Sequence, residues 1–318
     1  MTKPYNRREF LKKSAGLGLF AAAGGPLLAK TPWKTGLPVT AAGPVSTLSM
    51  VKGADYGKCT EKAVELLGGM GRFVHNDAKV ALLPNVQRWN PGTFTKPEIL
   101  RAVIQMCQKS GAAEVNVLSW LDMKNWESTG LAAVIQEEGA VLKLIPREEA
   151  LYKTVPIPYG EGIKDALIMK EFYNNDVFIN MPITKDHAGN KFTGTLKNLM
   201  GLNFATHNRS NFHQPDWTTD AGAIKHLENC IVDLNTVVKP TLCVVDATEF
   251  IITNGPMGPG EIIKPQQVIA GVDRVVIDAL CTTFWDIKAA DIIQITEAHR
   301  RGLGNMNIDQ ADIKIAEV

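Results

Sequence analysis

Eight residues able to hold an anion, move a proton or ligate a metal fall within 29 positions: Lys185, His187, Lys191, Lys197, Asn198, His207, Arg209 and His213. Three of the chain's six histidines are among them. Lysine is a mobile point charge suited to phosphate or carboxylate. Histidine exchanges a proton near neutral pH or binds a metal through a neutral nitrogen. The spacing is not that of a solvated helix stripe. Short polar turns punctuate apolar pieces, as at the carboxyl end of a sheet strand, where open α/β folds bind ligands. Lys185 and His187 share one side of the chain if the backbone there is extended. Composition alone also fits a long polar surface loop.

The segment Thr193-Gly-Thr-Leu-Lys197-Asn198-Leu-Met-Gly201 is expected to be a turn opening a short helix. Thr193 or Thr195 would cap it, with backbone N–H groups left free for an anion. A phosphate loop of the Gly-x-x-x-x-Gly-Lys-Ser/Thr kind is not present. Further on, Asp246 ends a strongly β stretch and Glu249 follows it. Asp246 suits a cation, a ribose or the Lys/Arg cluster. The run Asn254-Gly255-Pro-Met-Gly258-Pro-Gly260 is a tight turn whose glycines permit close backbone approach to a ligand. Asp273 is most simply the cap of the helix that follows, whereas Asp278 lies among apolar residues. Trp89, Trp120, Trp126 and Trp217 fall in loops, where they line a pocket or close the core.

Several chemistries are not written here. The sequence has no Gly-x-Gly-x-x-Gly, nucleophile elbow, His-Glu-x-x-His or EF-hand loop. Its five cysteines are scattered without a Cys-x-x-Cys, so no local iron–sulfur or structural zinc motif exists. The cofactor, if there is one, is left unnamed by these patterns.

The elements that position these residues follow from periodicity. Lys79 to Pro84, Glu114 to Leu118, Val141 to Ile145, Val177 to Ile179, Thr241 to Asp246 and Val268 to Gly271 have the length and composition of strands, and Asp312 to Ala316 is a closing strand. Helices are expected over Thr60 to Leu67, from a Thr95/Glu98 capping box to Gly111, and over Leu131 to Glu138. Others cover Ala223 to Ile231, Val275 to Phe284 and Ala289 to Arg301. Trp120 to Trp126 reads as a loop. The alternation predicts one α/β domain: a mainly parallel or mixed open sheet with helices on both faces. Val80, Leu82, Val115, Val117, Val177, Ile179, Val244 and Val245 should be its core. No repeat period of 20 to 50 residues is present.

The chain has 318 residues, 45% hydrophobic and 21% charged. Formal charge is +1, but residues 1–41 hold seven Lys/Arg and one acidic residue. The remainder has 27 basic and 32 acidic residues, a net of −5, which gives no case for nucleic-acid binding. Residues 1–41 have the form of a twin-arginine export signal. Arg7-Arg8-Glu-Phe-Leu-Lys-Lys13 precedes a weakly apolar Gly/Ala-rich core, and Val39-Thr40-Ala41 offers a cleavage site before Ala42. The core, interrupted by Gly16, Gly18, Gly24, Gly25 and Pro26, is too short for a stable span of about 20 residues. The division expected is a signal at 1–41 and a domain at 42–318, exported to the periplasm by the twin-arginine machinery, with no transmembrane span in the mature protein.

With these marks in hand, the body resembles the bacterial and archaeal family catalogued as domain of unknown function 362. The resemblance rests on Asn180-Met-Pro-Ile-Thr-Lys185-Asp-His187 and Thr193-Gly-Thr-Leu-Lys197-Asn198-Leu-Met-Gly201. Arg209, His213, Val244-Val-Asp246, Gly255-Pro-Met-Gly258 and Gly271-Val-Asp273-Arg-Val-Val-Ile-Asp278-Ala279 continue it. It runs from about residue 77 to residue 304. Members often carry an added ferredoxin-like module, which this chain lacks. The resemblance implies no reaction. It does imply that Lys185, His187, Lys197, Asn198, His213, Asp246, Asp273 and Asp278 form one site.

Three functions fit these residues. The first is an exported protein of unknown reaction, a redox-related one included, that binds an anionic substrate or cofactor in a Lys/His/Asp pocket. There Lys185, His187, Lys197 and His213 do the chemistry, and Asn198, Arg209, Asp246, Gly255, Gly258 and Asp278 hold the ligand. The second is a non-catalytic periplasmic anion-binding or assembly protein. The third is a metal site of His187, His213 and Asp246 or Asp278.

Overall fold

A computed structural model describes residues 45–318, so the expected export signal lies outside the described residues. The eight strands of the main sheet are Thr47–Lys52 (β1), Lys79–Pro84 (β2), Glu114–Ser119 (β3), Val141–Leu144 (β4), Val177–Met181 (β7), Leu242–Ala247 (β10), Gln267–Gly271 (β13) and Asp312–Glu317 (β14). Three hairpins lie apart: Tyr152–Pro156 with Asp165–Met169 (β5, β6), Lys185–His187 with Lys191–Thr193 (β8, β9), and Phe250–Ile251 with Ile262–Ile263 (β11, β12). Helices are Tyr56–Leu66 (α1), Pro97–Lys109 (α2), Met123–Ser128 (α3), Leu131–Glu137 (α4), Thr195–Asn198 (α5), Ala205–His207 (α6), Ala221–Val237 (α7), Arg274–Thr282 (α8) and Ile293–Arg300 (α9).

Across the main sheet the order is β14-β1-β13-β10-β7-β2-β3-β4. All neighbours pair in parallel except β13, which is antiparallel to both β10 and β1. The sheet is therefore mixed, and the domain is α/β. Every residue of β7 and β10 is buried, because both strands are covered on both faces and alternate no polar side to water. All eight expected core residues are buried.

Strand alternation assigns the two faces. Val80, Leu82, Val177, Ile179, Leu242 and Val244 point to one side and pack with Ala63 and Val64 of α1, Leu100 and Ile104 of α2, and Leu131 and Ile135 of α4. On the other side, Asn180 of β7 donates to Thr195 O of α5, and Gly271 of β13 lies against Ile277 of α8. The ends of β2, β7 and β10 share one edge. There the loop 85–95, the β8–β9 hairpin and α5 gather.

Differences from expectation have local causes. The Thr95/Glu98 capping box does not form. Thr95 is buried, donates to Met181 O at 2.7 Å and accepts the Asn85 N–H at 3.0 Å. The entry to helix α2 is held from another element instead: the Asp246 carboxylate accepts the N–H of Lys96, the residue before the helix, at 2.8 Å. Asp246 follows Val244 by two positions and so faces α2, not α5. The Ala289 to Arg301 helix is broken into a 3₁₀ turn at Ala289–Asp291 and α9. Part of the expected Trp120 to Trp126 loop is α3. Strands β1, β5, β6, β8, β9, β11 and β12 come without a clear alternating apolar signal.

The Asp246 cap is testable. Its carboxylate also accepts the Thr248 N–H at 3.0 Å and the Thr248 hydroxyl at 2.6 Å, all in a fully buried setting. Asp246→Ala leaves those donors without a partner and should cost roughly 2–4 kcal/mol. Urea unfolding measures it, and an unchanged midpoint would mean the carboxylate does not hold α2.

Candidate functional site

Two buried amines form the centre of the cluster. Lys185 starts the β8 hairpin just past β7, and its Nζ donates to Thr93 O at 2.6 Å and Asn85 Oδ1 at 3.1 Å. Lys197 lies in α5, with Nζ 3.5 Å from Asn190 Oδ1 and 3.8 Å from Met200 Sδ. The side chains are 1% and 7% exposed. Burial lowers Lys185 to about 7, with the Lys197 charge adding to the effect, and burial lowers Lys197 to about 8 against the opposing pull of Glu228.

Two histidines belong to the same cluster. His187 follows Lys185 on the same side of β8, as alternation requires, and both are buried. Its Nδ1 is 2.6 Å from Ala188 O, and His213 Nδ1 is 2.9 Å from Asn208 O. A carbonyl only accepts, so each Nδ1 carries the proton and each neutral ring has an unprotonated Nε2. Burial, then the charge of Lys197, holds His187 well below the usual range and brings His213 to about 4. Trp217 packs between them, with ring centroids 5.3 Å from His187 and 4.8 Å from His213.

The short helix α5 is fixed at both ends, which fixes where Lys197 stands. The Asp278 carboxylate accepts the Thr195 N–H at 2.6 Å and the Leu196 N–H at 3.0 Å. The helix N-terminus expected to be open to an anion is thus filled by the protein's own carboxylate. A Cβ on Gly194 would lie 2.3 Å from Asp278 Oδ1, so only glycine admits this approach. At the other end, Asn198 Nδ2 donates to Leu83 O at 2.9 Å and Asn180 Oδ1 at 2.8 Å, and its Oδ1 accepts from Asn85 at 3.0 Å.

The remaining expected residues are placed as follows. Asp246 lies beside the entry to β8, where its carbonyl accepts the Thr184 N–H at 2.9 Å, but its carboxylate is bonded to Lys96 N–H and Thr248 and to neither amine. Asp273 caps α8, accepting the Val275 N–H at 2.9 Å. Gly255 donates its N–H to the Asp186 carboxylate at 2.7 Å, and a Cβ there would lie 1.8 Å from Asp186 O. Gly258, at φ +63°, has Thr93 and Asn90 as its neighbours. Both glycines serve close packing of the turn on β8 and on the loop that holds Lys185. Arg209 is exposed, and its charge adds to the lowering of His213. His207 is separated from the other two histidines. It accepts from Asn203 Nδ2 at 3.2 Å and lies 3.7 Å from Asp165, in a cleft of about 360 Å³ shared with Ser210, Asn211 and Gln214. Lys191 is exposed, and Trp126 is in the core.

The expectation from sequence did not include Asn85, Thr93, Asn190, Met200 or Glu228. Glu228 is the negative charge that acts on Lys197. Its carboxylate accepts from Asn190 Nδ2 at 3.0 Å and from the Gln294 N–H at 3.0 Å, and burial raises its pKa. Its sequence signal is weak, because Glu228 shares the stretch Leu227 to Leu234 of α7 with Asn229 and a second acidic residue, Asp233. Among the described residues no group of three or more His, Cys, Asp or Glu side chains could hold a metal, and no helix is long and apolar enough to cross a membrane.

The Asp278 contact predicts a pH dependence. Burial raises its carboxyl from 3.8 to about 7. The folded state therefore binds the proton more tightly, and this group's contribution to stability falls as pH rises from about 4 to about 7. Asp278→Asn removes that slope and one acceptor, so the variant should be destabilised by about 1–3 kcal/mol with a flatter stability–pH curve. Urea unfolding at a series of pH values decides it. An unchanged slope would mean that Asp278 does not titrate there.

Several known proteins are similar to this chain. The chain is 28% identical over 253 residues to a thylakoid-associated protein of Synechocystis sp., covering 76% of this chain and 73% of that one. It is similar to a crystal structure of a Thermotoga maritima protein, with 13% identity, TM-score 0.44 and coverage of 77% and 59% of the two chains. It is also similar to the lactate racemase apoprotein of Thermoanaerobacterium thermosaccharolyticum, with 13% identity, TM-score 0.44 and coverage of 70% and 53%. The chain spans somewhat more than half the length of each of these two solved proteins. Residues 80–283, well over half of the chain, match the domain of unknown function DUF362, and the protein belongs to that family.

Proposed function

We propose that the Lys185–Lys197 cluster binds a small anionic substrate or cofactor, with His187 and His213 available to move a proton. One observation carries this reading. The Lys197 amine is more than nine-tenths buried and has only a 3.5 Å contact to an amide oxygen and a thioether beside it. A buried ammonium without good acceptors is costly and calls for an anion. Lys185 adds a second positive charge, Trp217 an apolar wall, and the two Nε2 atoms are acceptors for a ligand proton. Any negative charge developing on the ligand would be offset by the two amines. A metal held by His187 and His213 fits less well, because Asp246 and Asp278 are bonded to backbone N–H groups and both lysines repel a cation.

Lys197→Met should weaken retention of whatever anion copurifies from the native host by about tenfold or more, the equivalent of roughly 1.5–3 kcal/mol for a charge-assisted bond. The melting temperature of the ligand-free variant should be unchanged or higher, since a desolvated charge is gone. Mass spectrometry and elemental analysis of natively purified protein identify the species, and titration of both proteins compares them. Binding should also weaken above about pH 8 as the amines lose charge. Equal binding by the variant would remove Lys197 from the site.

Export completes the proposal. Arg7 and Arg8 before a weakly apolar core support twin-arginine transport, with a mature periplasmic protein starting near Ala42. Replacing both arginines with lysine should leave the precursor in the cytoplasm on fractionation. Undiminished mature protein in the periplasm would refute this.

A further inference from the structure

We infer that Lys197 forms an imine with the carbonyl carbon of an anionic oxo compound, a 2-oxo acid being the simplest, while Lys185 holds its carboxylate. The inference rests on the anion-binding reading of this site and names the ligand class.

The two amines are not equivalent. Lys185 is tethered by two acceptors, Thr93 O at 2.6 Å and Asn85 Oδ1 at 3.1 Å, and suits a donor fixed in place for a carboxylate. Lys197 has no acceptor nearer than the 3.5 Å contact with Asn190, so its nitrogen is not tied down. Its backbone is held by the Asp278 cap on Thr195 and Leu196 and by the Asn198 amide. An amine on a fixed backbone and out of water has the setting of a nucleophilic lysine. Burial brings both amines towards neutrality, Lys185 to about 7 and Lys197 to about 8, so the choice between them rests on the tethering, which leaves only Lys197 free to move onto a carbonyl carbon. At neutral pH Lys197 holds on the order of a hundredfold more free amine than an exposed lysine.

The surroundings can carry the rest of the step. His187 or His213 Nε2 first takes a proton from the Lys197 ammonium. The freed Nζ lone pair attacks the carbonyl carbon, and the C=O π pair moves to oxygen, which takes that proton from the imidazole. The nitrogen then loses a second proton to the imidazole, which passes it to the hydroxyl, and this leaves as water as the C=N bond forms. No oxidant or reductant is required. Glu228, whose charge acts on Lys197 without contacting it, would stabilise the protonated imine.

The test is reductive trapping on the full-length chain. Pyruvate with sodium borohydride should place a reduced adduct on Lys197, found by peptide mass spectrometry. Labelling should be at least about tenfold faster than at an exposed lysine such as Lys191. Lys197→Arg should remove that adduct. Lys185→Met should slow trapping of pyruvate severalfold but not that of acetone, which has no carboxylate. Circular dichroism confirms that each variant is folded. An adduct spread over exposed lysines, an adduct on Lys185, or no adduct would overturn the imine. Oxalate, which cannot form it, separates the two readings by calorimetry. Oxalate binding without trapping leaves the anion site standing and sinks only this inference. Loss of both sinks both.

Discussion

Removing two lysine amines from water is the constraint on which the region past β2, β7 and β10 depends. Each charge loses its hydration, and the like charge nearby makes matters worse. The protein answers in three ways. Lys185 is given two oxygen acceptors from the loop after β2. Lys197 is given the field of Glu228 but no contact with it. The nearby histidines are kept neutral, so that they add no further positive charge. The compensation is incomplete at Lys197, and the proposed anion site rests on that incompleteness.

A second constraint explains why Lys197 can sit there at all. A helix of four residues has almost no stability of its own. Helix α5 exists because Asp278 satisfies two of its N–H groups and because Asn180, Asn198 and Asn85 tie its far end to the sheet. This polar scaffold is buried and nearly fully bonded, which makes it rigid as well as demanding. Gly194 and Gly255 are part of it, since each permits a carboxylate or backbone approach that a Cβ would block.

Two buried aspartates play matching roles on opposite faces of the sheet. Asp246 supports α2 and, through Thr248, the start of the following turn. Asp278 supports α5. Both look from sequence like ligands for the lysines, since each is a carboxylate among apolar residues near a strand or helix end. In the fold each is bonded to backbone N–H groups instead. A buried carboxylate takes whatever donors lie nearest, and near helix starts those are backbone amides.

By itself the sequence determined the alternation of strands and helices from Lys79 to Ile179, and with it the parallel core. Continuous apolar runs such as Val177 to Ile179 can be satisfied only by cover on both faces. It also determined that Lys185 and His187 share a side, because a strand has a period of two, and that Lys185, His187, Lys197 and His213 fall close along the chain. Which of their neighbours face them was decided only by tertiary structure. The Asp246 carboxylate is taken up by the backbone of Lys96 and by Thr248, and Asp278 fills the helix end that looked open. His207 turns into another cleft, and Glu228 arrives from a helix some thirty residues later. Charge partners at such separations are chosen by packing, and packing has no period along the chain.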